Sequence, residues 1–166
     1  MSFFHTFFAM IIRFINLLFA FIIFLPGLPC HASMDYGKQS LIGSDFSNSD
    51  LRGATFYLTD LQNANLSGSN LQGANLFGVK LEDADLSNAN LTDVTLDSAV
   101  LDRTDLTNTV LENAFAFNAR FIDVKINGAD FTNVPLRKDV LKQLCPIAQG
   151  VNPITLRNTE DTLECN

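Results

Sequence analysis

A large apolar residue returns at every fifth position for almost a hundred residues. The series runs Leu41, Phe46, Leu51, Phe56, Leu61, Leu66, Leu71, Leu76, Leu81, Leu86, Leu91, Leu96, Leu101, Leu106, Leu111, Ala116, Phe121, Ile126, Phe131 and Leu136. Eighteen of these twenty positions are Leu or Phe, with no slip of register. A second series, two residues earlier, is almost all Ala, Val, Ser or Thr. It includes Ala54, Ala64, Ala74, Val79, Ala84, Ala89, Val94 and Ala99, with Gln39 as the early exception. The residues between are polar and rich in Gly, Asn, Asp and Ser, the residues of turns.

A period of five matches neither the helical 3.6 nor the strand 2.0. Repetition at a fixed spacing points instead to stacked units, none able to bury its apolar face alone. The simplest chain turns once per pentapeptide. The large residue and the small one two before it point inward, and the other three point out. Leu61, Leu66, Leu71, Leu76, Leu81, Leu86, Leu91, Leu96, Leu101, Leu106 and Leu111 are the expected core. Burial of each such side chain contributes on the order of 1.5–3 kcal/mol, opposed by the cost of ordering the backbone. The small residue sets the width of the shaft, so a Phe in place of Ala84 would overpack it.

Individual units read Ala64-Asn65-Leu66, Ala74-Asn75-Leu76, Ala84-Asp85-Leu86, Ala89-Asn90-Leu91 and Ala129-Asp130-Phe131. This Ala-Asp/Asn-Leu-x-x pattern resembles the pentapeptide-repeat family, and the resemblance covers residues 39–138. It implies an all-β solenoid: a right-handed quadrilateral β-helix with four units per coil. Twenty units then give about five coils, a rod of roughly 24 Å at the inter-strand spacing.

The two ends differ from the repeat. Residues 1–25 are mostly Phe, Ile and Leu around a single charge, Arg13, and Pro26, Gly27, Pro29, Cys30, His31 and Ala32 follow. Residues 1–32 read as a secretory signal peptide cleaved after Ala32, without the twin arginine of the alternative export route. An uncleaved anchor over residues 3–25 is the competing reading, opposed by Arg13 and Asn16 near its middle. A lipid anchor on Cys30 would want a small residue before it, and Pro29 is there. Membrane contact is therefore expected only through an uncleaved N-terminal segment.

Cleavage would remove Cys30, His5 and His31, leaving a mature chain with no His or Trp. Histidine-based catalytic arrangements and His-ligated metals are then excluded. Cys145 and Cys165 remain, an even number in an oxidising compartment, and are expected to form a disulfide. Closing that loop of about twenty residues is worth roughly 3 kcal/mol in the chain-entropy account. The mature chain would carry 18 acids against 10 Lys and Arg, a formal charge of −8. That charge argues against direct binding of nucleic acid or an anionic membrane.

Beyond Leu136 the spacing changes to three and four, with Val140, Leu141, Leu144, Ile147 and Ala148 on one helical face. Pro135 stands near the start of this amphipathic helix, and Gly150 and Pro153 end it. A second short turn of helix is expected over 159–164. Residues 33–138 are thus read as the β-helix and 139–166 as a helical cap over its end, tied by the Cys145–Cys165 bond. The tail residues Leu144-Cys145, Gly150, Asn152-Pro153, Thr155, Thr159, Leu163 and Cys165 resemble the tail of secreted cyanobacterial pentapeptide-repeat proteins and their thylakoid-lumen relatives. In that pattern a Gly is expected near Leu156. The resemblance implies an exported protein of the lumen or periplasm, and no known activity.

Twenty residues per coil stack positions twenty apart, so outer columns can be read directly. One column holds Tyr57, Phe77, Asp97, Phe117 and Arg137, with Leu58 and Phe115 beside it. An exposed apolar patch of this kind is a candidate partner surface, unless the N-terminal segment or the C-terminal tail folds over it. Ala116 leaves a gap in the core that Phe115 or Phe117 could fill by turning inward. A second column, Gly43, Asn63, Asp83, Arg103 and Asp123, reads as surface ion pairs. A third, Asp45, Asn65, Asp85, Asp105 and Lys125, places Asp85 and Asp105 one rung apart, where they could hold calcium or imitate an acid–base pair. A convex rod offers neither a pocket, and solvation is the simpler reading.

The functional expectation is a non-catalytic exported scaffold or protein-binding module, with no cofactor, no metal and a protein partner. A homodimer through the N-terminal end stays open. The alternative is a cytoplasmic role like that of family members that imitate acidic duplex DNA and bind DNA gyrase.

Overall fold

A computed structural model describes residues 34–165. The signal-peptide and anchor readings of residues 1–32 lie outside the described residues. From Asp35 onward the backbone is linked by parallel bridges between residues twenty apart, beginning with Asp35↔Thr55 and ending with Val110↔Asp130. With a turn every five residues, each coil has four sides. Most sides contribute a single bridge residue. Among the described residues, only Val100–Asp102 (β1) and Arg120–Ile122 (β2) lengthen to three-residue parallel strands.

Each position in the repeat has a local cause. The N–H of the small residue donates back to the carbonyl of the preceding large one, as Ala64 does to Leu61 at 3.0 Å. That bond closes a four-residue turn whose third residue has φ between 47° and 69° in nearly every unit. A positive φ at that place is the type II requirement, and it favours Gly, Asn and Asp. The residue just before the large one fixes the entry. Wherever it is Asp or Asn, its Oδ1 accepts the N–H two residues on. Asp, Asn and the αL residue therefore serve the turn, while Leu and Ala fill the shaft.

Leu61 through Leu111 at every fifth position are buried, as are the small residues between them. Where the small position is Thr, the hydroxyl is satisfied inside the shaft. Thr59, Thr104 and Thr109 donate to the carbonyls of Tyr36, Leu81 and Leu86 at 2.7–2.8 Å. A buried hydroxyl with its bond made costs little.

The ladder starts one unit before the sequence pattern shows it. Tyr36 is a core rung in its own right: its N–H donates to Thr55 and its ring stacks on Phe56 at 4.8 Å. Phe46 joins this aromatic cluster edge-on. Gln39 tolerates its place in the small series because it is exposed, donating through Nε2 to the Asp35 carbonyl.

Ala116 is fully buried, while Phe115 and Phe117 stay outside at 52 % and 47 % exposure. The expectation that one of them turns inward is thus corrected. Phe121 and Phe131 of the same coil are buried beside it, and their rings meet edge-on at 6.3 Å. Two large rings with one Ala and one Ile take the places of four leucines, a set of similar summed volume, which cores tolerate.

After the last rung the chain forms α1, Lys138–Leu144, and a 3-10 turn, Cys145–Ile147. Val140 and Leu144 are buried in the same cluster as Phe131. The helix is shorter than its periodicity suggests, because Pro146 has no N–H to continue the ladder. Ile147 consequently faces solvent. A final turn, α2 (Thr159–Thr162), buries Thr159 and leads to Leu163 in the core. Cys145 and Cys165 are joined by a disulfide with their Cα atoms 5.5 Å apart.

Candidate functional site

The aromatic column divides into two patches. Tyr57 and Phe77 stack at 5.7 Å, and the Lys38 ammonium lies 5.8 Å above the Tyr57 ring. Leu58 is beside them in an αL turn position, φ 54°, that bulky residues rarely occupy. Its side chain drapes over Gly78, where an added Cβ would stand 2.6 Å from Leu58 Cδ2. Phe115 and Phe117 form the second patch. Asp97 separates the two, accepting the backbone N–H and the side-chain amide of Asn118. Two rungs, roughly 10 Å, separate Phe77 from Phe117.

The tail does not cover this face. It runs along the units at Leu106–Leu111 and Ile126–Phe131. Gly128 N–H donates to Gln149, Asn152 donates to the Asn108 and Gly128 carbonyls, and Phe131 N–H donates to the Thr162 hydroxyl. Cover by the tail is therefore corrected: Tyr57, Leu58, Phe115 and Phe117 are exposed and Phe77 is half-buried.

Each charged column contains an ion pair. Arg103 makes a two-pronged contact with Asp83, both bonds at 2.8 Å, and reaches Asp102 as well. The guanidinium hydrogen bond holds the Asp83 carboxyl below its ordinary value. Asp85 and Asp105 do lie on adjacent rungs, and each is occupied by its own turn, accepting Ser87 N–H and Thr107 N–H. Lys125 Nζ sits 3.0 Å from Asp105. Partial burial pushes the Asp105 carboxyl up, but the Thr107 and Lys125 bonds outweigh it and the net shift is downward. Among the described residues no group of three or more His, Cys, Asp or Glu side chains is placed to hold a metal ion.

The tail carries two residues whose roles the sequence did not disclose. Asn152 is fully buried. Its amide donates to Gly128 at 2.8 Å and to Asn108 at 3.2 Å, and its Oδ1 accepts Ile154 N–H and Thr155 N–H. Arg157 Nη1 lies 3.1 Å from both Glu112 and Asp130. Asp130 is completely buried; burial raises its pKa, yet the bonds from Thr132 and the Arg157 charge bring it below the ordinary carboxylate value. Asn-Pro at 152–153 was the available signal, since that pair initiates turns.

A family model and a solved structure match this repeat. The sequence matches the family described as Pentapeptide repeats, in eight copies, over residues 39–73, 74–113 and 99–137. A crystal structure of a pentapeptide repeat protein from the Arabidopsis thaliana thylakoid lumen is similar at 43 % identity and a TM-score of 0.77, covering 78 % of this chain and 90 % of that one. The thylakoid lumenal 15 kDa protein 1 of Arabidopsis thaliana is 53 % identical over 49 residues, which is 30 % of this chain and 22 % of that protein. HetL, a pentapeptide repeat protein involved in heterocyst differentiation regulation in the cyanobacterium Nostoc, is 26 % identical with a TM-score of 0.49, over 61 % of this chain and 56 % of that one. With its repeat matched across more than half its length, and coils of four five-residue sides linked twenty residues apart, the chain belongs to the pentapeptide repeat family, whose members form right-handed quadrilateral β-helices.

Proposed function

We propose that this protein is a non-catalytic scaffold of the thylakoid lumen or an equivalent exported compartment, and that it binds a protein partner through the Tyr57–Phe77 and Phe115–Phe117 face. The observation that carries the location is the 43 % identity, over nine-tenths of its length, to a lumenal protein. In this reading residues 1–32 are a cleaved signal and five coils form the shaft. α1 and α2 close its C-terminal end, locked by the Cys145–Cys165 bond that an oxidising compartment preserves. The intact mass of the natural protein, with thiols alkylated before reduction, tests this. A mass beginning at Ser33, with Cys145 and Cys165 unalkylated, is expected. A full-length mass with alkylated thiols refutes export.

The binding face rests on exposed aromatics. Aromatic rings anchor interfaces because they bury much area at little entropic cost. Replacing Tyr57, Phe77 and Phe117 together by Ser should abolish recovery of the partner with the protein while leaving the thermal midpoint within a few degrees. Large destabilisation instead would mean that these side chains are packing. The gyrase-type alternative draws less support, since Arg103 and Lys125 neutralise the carboxylates that a DNA-like surface needs.

A further inference from the structure

Ile154 and Leu156 are the two most exposed large apolar side chains among the described residues, at 70 % and 77 %. They stand together on one turn of chain between Asn152 and Arg157. That turn is closed on itself. Asn152 Oδ1 takes the N–H groups of Ile154 and Thr155, Leu156 N–H donates to the Asn152 carbonyl, and Asn152 N–H donates to Arg157. Pro153 has no N–H to satisfy. The tip thus presents aliphatic side chains from a backbone that is already ordered and whose amides are already bonded, so docking costs little further ordering.

Leu156 also forms one wall of a concavity of about 490 Å³ that includes Asn133, Asp161 and Glu164. Arg157 borders it, but its guanidinium is engaged by Glu112, Asp130 and Thr132. Neither Asp161 nor Glu164 makes an ion pair with a described cation. An apolar tip next to an acidic notch, on a chain of formal charge −7, is complementary to a cation flanked by aliphatic side chains. An anionic lipid surface would be repelled by the same carboxylates.

We infer that the Ile154–Leu156 tip and the Asp161–Glu164 notch form a second docking surface, which takes a basic, aliphatic segment of a partner protein. Its lysine or arginine enters the notch and its aliphatic neighbours cover Leu156 and Ile154. Leu156 has φ 59°, a conformation that glycine adopts without strain. The side chain there therefore costs stability and contributes contact area.

The natural form of the protein, as defined by its intact mass, would be titrated with a capped fluorescent Leu-Lys-Leu-Arg-Leu peptide. Saturable binding is expected. It should weaken by about fivefold or more at high salt and in Asp161→Asn/Glu164→Gln, as an electrostatic contact does. Leu156→Gly should weaken it to a similar extent while raising the thermal midpoint, the opposite signs that contact area gained at the cost of strain requires. The Tyr57, Phe77 and Phe117 serine variant should bind the peptide unchanged, which separates this surface from the aromatic face. The inference is overturned by absence of binding at about 1 mM peptide, the weak end of specific association. It is equally overturned by binding indifferent to Leu156→Gly or to the acidic pair, or by adsorption to phosphatidylcholine vesicles in place of the peptide.

Discussion

Leu91→Ala should lower the stability of the protein by about 3–5 kcal/mol, the upper part of the range for buried leucines. The reason is that the shaft has no means of closing on the hole. Leu91 is fully buried. Its own N–H is tied to Val110 in the next coil at 2.7 Å, and the neighbouring Asn90 N–H to Ser69 in the coil before at 2.9 Å. Backbone bonds therefore fix the spacing of the wall on both sides, and the lost side chain leaves a hole in its layer. Leu41, half-buried in the first coil, should lose only about a third as much on the same change, because less of it is taken from water. Urea denaturation of both variants measures this. Similar losses at the two sites, or a Leu91→Ala cost under about 1.5 kcal/mol, would show that the coils relax around the gap.

Ala116 shows how far such an interior could be read without the structure. Period five, the inward series and the turn residues were all legible because each is enforced inside one pentapeptide. The compensation for Ala116 was not. The large residues of that layer are Phe121 and Phe131, on the two sides of the same coil that flank the side of Ala116, while the adjacent phenylalanines stay outside. Local sequence suggested the wrong pair because neighbours in the chain point to opposite faces of the wall. Leu58 and Arg103 hide in the same way. Their αL conformations belong to a position that usually announces itself with Gly, Asn or Asp, and here the sequence is silent. The path of the tail was the least legible part. The coil carbonyls that anchor Asn152 lie 24 to 44 residues away along the chain, and no periodicity encodes contacts of that range. Pro146 was visible, yet its effect on the helix depends on where the last regular turn ends.

Asn152→Ala is expected to cost about 2–4 kcal/mol, from buried carbonyls and amide groups left without partners. No other residue between Gly150 and Arg157 bonds at once to two coils, through Asn108 and Gly128, and to the turn that follows it, through Ile154 and Thr155. With the pin removed, the segment between the 3-10 turn and α2 should open locally, since Cys145–Cys165 still tethers both its ends. The coils should persist, as their ladder does not pass through the tail. Trypsin distinguishes this from global unfolding. Arg157 is held against Asp130 and Glu112 in the intact protein and should resist cleavage. In Asn152→Ala the bond after Arg157 should be cut first, giving a product that gains one water in mass and separates into two chains only on reduction. Cleavage spread over Arg52, Arg103 and Arg120 at the same rate would instead mean that the tail and the coils unfold as one unit, and that Asn152 secures the whole shaft and not just its C-terminal end.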